Sequence, residues 1–84
     1  MKYWDTLTEA AKIAEERQES YGNIEENFKE ISDISKSMFG LEVSEAEICK
    51  VMIAVKVARQ KHKHKDDNIV DMINYIAILN QFLK

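Results

Sequence analysis

A chain of 84 residues is sized for one small domain, read here as residues 1–84 without a linker. With one cysteine, two glycines, no proline and a net charge of −3, the composition excludes a disulfide scaffold, a cysteine–histidine zinc site and general affinity for nucleic acid. Few strand signals survive it, so the chain is expected to be all-α. The single thiol and the lack of a signal peptide or a long apolar segment point to a reducing, cytoplasmic location and to no membrane partner. A domain this small buries only about 60% of the surface its unfolded chain exposes, so further stability is expected from oligomerisation.

The first helix is expected to start near Asp5 or Thr6, where Thr6 and Glu9 have the spacing of a capping box. Tyr3, Leu7, Ala10 and Ala14 recur at helical spacing as its inner face, and the same row runs on through Arg17 and Tyr21. Gly22 suits the C-terminal cap. Asn23, with Glu26 three residues on, caps a second helix, in which Ile24, Phe28, Ile31 and Met38 form an inward row with Ile34 beside it. Gly40 ends that helix as Gly22 ends the first.

Ser44 and Glu47 form another capping box and open a central helix. Its apolar residues run right round it, from Ile48, Val51, Met52 and Val55 to Ile53, Ala54 and Val57. Such a helix is expected to be buried on more than one side, in a bundle or at a subunit interface. The basic run after Arg59 makes the connection, and Asp66 or Asp67 caps a fourth helix. Ile69, Ile73, Ile76, Leu79 and Leu83 form the spine of this last helix, and Asp67, Asp71, Asn74, Ile78 and Gln81 its most polar stripe. Four helices with short connections give a compact four-helix bundle. The third and fourth are the expected faces of a homo-oligomer.

The charges within this apolar frame are the functional signal. Lys56 interrupts the most apolar helix and Arg59 follows on the same face, while Asp67 and Asp71 lie one turn apart on the next helix. Antiparallel packing would bring Lys56 near Asp71 and Arg59 near Asp67. Two ion pairs locking the helices together is the plain structural alternative. Buried pairs are weak stabilisers, however, because desolvation costs about as much as the attraction returns. Arg17 and Tyr21 add donors suited to a phosphate or a base edge, with a ring for stacking. His62 and His64 are two apart and point to different sides of a helix, so they do not suit a metal. Cys49 has no adjacent base and is expected in the core.

The segments RQESYGNIEENF (17–28), IAVKVAR (53–59) and DNIVDMINYIAIL (67–79) resemble a group of small phage and prophage proteins with no assigned activity. The shared pattern is an Arg-x-x-x-Tyr-Gly turn, here Arg17, Tyr21 and Gly22; an Asn-Phe pair, Asn27 and Phe28; Lys56 and Arg59; and Asp67, Asp71 and Tyr75. More distantly, VDMINYIAIL resembles the last helix of the MazG-like all-α nucleoside triphosphate pyrophosphohydrolases. Those enzymes place an acidic residue three before an Asp to help hold magnesium; Asn68 stands there, with Asp67 one further back. Where they carry paired glutamates, this chain carries Lys56 and Arg59, and cations would repel the metal.

Together the resemblance and the charges imply a non-catalytic protein that sequesters a phosphorylated, nucleotide-like small molecule. In a phage setting this would be a host immune messenger, met in the cytoplasm of the infected bacterium. Arg17, Lys56 and Arg59 would meet phosphates, Tyr21 or Tyr75 would stack on a base, and Asn27, Asp67 and Asp71 would contact base and ribose. No metal or other cofactor is needed on that reading. Two alternatives stay open: a magnesium-dependent nucleotide pyrophosphohydrolase using Asp67 and Asp71, helped by Glu26 or Glu30, and an oligomeric protein–protein adaptor in which every charged pair is structural.

Overall fold

The computed structural model describes residues 2–84. Four helices follow in order: α1 (Tyr3–Tyr21), α2 (Ile24–Phe39), α3 (Glu45–His62) and α4 (Asp66–Phe82). They form an all-α bundle with principal extents of 44 × 29 × 24 Å. Packing is most extensive between α3 and α4; α1 lies along α4 and α2 along α3, and α1 and α2 meet only lightly.

Helix ends follow local chemistry where the side chains needed are in place. The Asn23 Oδ1 accepts from the Glu26 amide at 3.0 Å. At the start of α3 the Ser44 Oγ accepts from the Glu47 N–H at 3.1 Å, and the Glu47 carboxylate accepts from the Ser44 N–H at 3.0 Å. The Ser44 N–H, and after it the Ser44 hydroxyl, hold the Glu47 carboxyl below its ordinary value. Gly22 and Gly40 close α1 and α2 at φ 78° and 68°, values costly for any residue with a Cβ.

Two expected starts are corrected. Helix α1 begins at Tyr3, so Thr6 is already inside it; the Asp5 carboxylate accepts from the Lys2 N–H at 2.9 Å and takes the capping role. Helix α4 begins at Asp66 without using either aspartate as its N-cap. Instead Gln60, from α3, accepts from the Lys65 N–H at 3.0 Å and from the Asn68 side chain at 3.3 Å. One glutamine thus ties the end of α3 to the start of α4.

The core centres on Phe28, Ile48 and Cys49, with Ile24, Val43, Met52, Tyr75, Ile78, Leu79 and Phe82 packed against it. Phe28 stacks on Phe82 with ring centroids 5.6 Å apart and lies 6.5 Å from the Tyr75 ring. Cys49 is fully enclosed, as expected, and burial pushes its thiol pKa up.

Several expected inner rows are only partly covered. Ala10 is buried, but Tyr3 and Leu7 in the same row of α1 are exposed. On α2, Ile31, Ile34 and Met38 are exposed beyond the packed Ile24 and Phe28. Ile76 and Leu83 of the α4 spine, and Val51 and Val57 of α3, also face outward. Helical spacing dictates which residues share a face. A bundle of four short helices has too few neighbours to cover every such face.

Candidate functional site

The geometry of the site begins at Asp71. On α4, Asn68 and Asp71 lie three apart and are both buried, on the face turned towards α3. There the Lys56 Nζ lies 2.8 Å from the Asp71 Oδ2, and the Arg17 Nη2 reaches from α1 to within 2.9 Å of Oδ1. Each carboxylate oxygen therefore has its own cation. The side chains of Lys56 and Asp71 are only 13% and 9% exposed, while that of Arg17 is 46% exposed. Lys56 and Asp71 form the closed floor of this arrangement, and Arg17 its solvent edge.

From this triad opens a cleft of about 530 Å³ between α1, the start of α2 and α4. Such a volume lies in the range of small-molecule sites, roughly 300–1,000 Å³. Tyr21, Phe28, Tyr75 and Ile78 give it apolar and aromatic walls, and Gln18, Asn27, Asn74 and Gln81 place amides around them. The buried Asn74 Nδ2 has no hydrogen-bond partner. An amide donor buried without a partner is costly.

Of the residues expected at the site, the structure brings six to this cleft: Arg17, Tyr21, Asn27, Lys56, Asp71 and Tyr75. It leaves two outside, since Arg59 and Asp67 do not line it, are exposed, and make no ion pair with each other among the described residues. The inward positions are Lys56 and Gln60 on α3 and Asn68 and Asp71 on α4. Arg59 and Asp67 are each one residue off that seam, which on a helix is a rotation of about 100°.

Sequence reasoning placed Asn74, Ile78 and Gln81 on the polar stripe of α4 but did not assign them to the site, where the structure puts all three. Their spacing from Asp71 was the signal. Gln18, Phe28 and Gln60 were not singled out as polar or lining groups either. Glu26 and Glu30 do not line the cleft.

The donors present do not fit magnesium. Asp71 has both oxygens against cations, Asp67 lies outside the cleft, and no cluster of three or more His, Cys, Asp or Glu side chains arranged to hold a metal occurs among the described residues. Nor is any described helix long and apolar enough to cross a membrane.

A domain of unknown function, DUF6378, matches residues 5–83, which include every residue of the site. The chain belongs to the DUF6378 family. A Gene 55 protein of Mycobacterium phage D29 is 34% identical to this DUF6378 chain over 77 residues, covering 89% of the chain and 51% of the phage protein. The chain thus spans about half the length of that relative, which is a phage protein, in keeping with the motifs. No solved structure matches it.

Proposed function

We propose that the chain is a non-catalytic binding protein for a phosphorylated, nucleotide-like small molecule, held in the cleft above Asp71. The observation that carries this reading is the coincidence of two features in one cleft: a paired cation cluster and aromatic walls. Arg17 and Lys56 each use part of their donor capacity on Asp71, and their remaining N–H groups are available to phosphate oxygens. Tyr21 and Tyr75 offer rings for a base, while Asn27 and Asn74 offer amides for its edge.

Charge narrows the ligand. Among the described residues, Arg17, Lys56 and Asp71 are the charged side chains that line the cleft, which leaves one net positive charge. A phosphodiester, with one negative charge, matches that better than a triphosphate. In a phage setting, such a ligand fits capture of a host nucleotide messenger. Pyrophosphate cleavage draws less support, because the carboxylates needed for metal are either occupied by cations or outside the cleft.

Calorimetric titration with cyclic and linear nucleotides, with and without magnesium, tests the proposal. The expected result is binding of a phosphodiester nucleotide without metal and without turnover, weakened about 10–100-fold in Arg17→Ala. Magnesium-dependent hydrolysis, or binding unaffected in both Arg17→Ala and Lys56→Met, would defeat it.

A further inference from the structure

The chain exposes 6463 Å². A monomeric protein of 9.8 kDa is expected to expose about 5,200 Å². The excess, roughly 1,300 Å², is larger than the roughly 800 Å² that each partner buries in a standard protein–protein interface. The radius of gyration, 13.7 Å, likewise exceeds the value of about 12 Å expected for a chain of this length. One copy is more open than a self-sufficient domain of its size.

The most extensive run of exposed apolar side chains lies on the second half of α2 and the turn after it. Ile31, Ile34, Met38, Phe39 and Leu41 are 37%, 46%, 67%, 68% and 54% exposed. Ile31, Ile34 and Met38 recur at steps of three and four and therefore form one stripe. Two ion pairs of the same segment are made within the chain: Lys29 lies 3.3 Å from Asp33, and Lys36 lies 3.0 Å from Glu42. A two-fold contact sets a surface against its own copy, so a face carrying unmatched charge would repel itself. This one would not.

We infer that two copies of the chain associate face to face through this stripe of α2, with Ile34 and Met38 at the contact and Phe39 and Leu41 at its end. This is a different surface from the α3 and α4 faces that sequence pattern alone suggests. Asn27 lies one turn before Ile31 and lines the cleft, so the second copy sits beside the cleft mouth. The inference does not depend on what the cleft binds.

Sedimentation equilibrium of the full chain tests it, with helicity checked by circular dichroism. The wild type is expected at twice the 9.8 kDa chain mass. Met38→Glu places like charges opposite each other and is expected to raise the dimer dissociation constant by at least about 100-fold. Helicity should be unchanged, since Met38 is largely exposed. Should the charge disturb folding, Met38→Ala removes the contact alone and is expected to weaken dimerisation about 10-fold. Val51→Glu on α3 and Ile76→Glu on α4 should leave the dimer intact. A wild type that stays monomeric at high micromolar concentration overturns the inference. So does an assembly of any size that Met38→Glu and Met38→Ala leave whole, or one broken only by Val51→Glu or Ile76→Glu.

Discussion

The hairpin of α3 and α4 carries two charge clusters of opposite character. At its closed end, Lys61 to Asp67 pack five lysine or histidine side chains and two aspartates into seven residues, all of them exposed. There His64 Nε2 lies 3.1 Å from Asp66 Oδ1, with side chains 66% and 87% exposed. About two turns away, a single buried aspartate holds the buried Lys56 on one oxygen and the half-exposed Arg17 on the other. In the turn, water and salt screen each charge, and such pairs contribute about 0–1 kcal/mol. Around Asp71, the carboxylate and Lys56 depend on each other, because neither can easily recover its hydration. Density of charge in the sequence therefore says little; the helical face on which a charge falls decides its role.

Removing the shared acceptor should have the largest effect. Asp71→Ala leaves Lys56 buried without its counter-ion and is expected to cost about 3–5 kcal/mol in urea denaturation. Lys56→Met, which keeps the length of the side chain and leaves Asp71 paired with Arg17, is expected to cost less, about 1–3 kcal/mol. Asn74→Ala should change stability by no more than about 1 kcal/mol, since the Nδ2 it removes has no partner, yet it should weaken ligand binding. Smallest of all, Asp66→Ala in the turn is expected to stay within about 0.5 kcal/mol. Equal losses for Asp66→Ala and Asp71→Ala would erase the distinction between the two clusters.

The pH dependence of α3 has a defined sign. The Glu47 carboxyl is held low in the folded chain by its bonds to Ser44, so the cap contributes stability above the unfolded carboxylate range. That contribution is lost as pH falls through the lowered folded value. The protection of the first-turn amides of α3, measured as exchange relative to the unfolded chain at the same pH, should fall on acidification, and Glu47→Gln should flatten that profile.

Much of the fold was legible because its signals are local. Asn23 and Ser44 with their acidic partners, and Gly22 and Gly40, mark ends that depend only on neighbouring residues. The facing of Lys56 and Asp71 also follows from a short antiparallel connection. The Arg17–Asp71 contact does not, since it requires α1 to lie beside α4, and nothing in the chain between them encodes that. Arg59 and Asp67 were misplaced by one residue each, an error that spacing cannot detect when Lys56 and Arg59 are three apart and both charged. The exposed Ile31, Ile34 and Met38 illustrate a further limit: periodicity reveals an apolar face without revealing what covers it.

Native mass spectrometry of protein purified gently from its host is the most direct measurement, with any molecule released on denaturation then identified. A phosphorylated nucleotide-like compound recovered intact, in stoichiometric amount from wild type and lost from Arg17→Ala, is the expected result. Protein that carries no such compound, and that neither binds nor cleaves any nucleotide added to it, would contradict the binding role and leave the Asp71 cluster as scaffold.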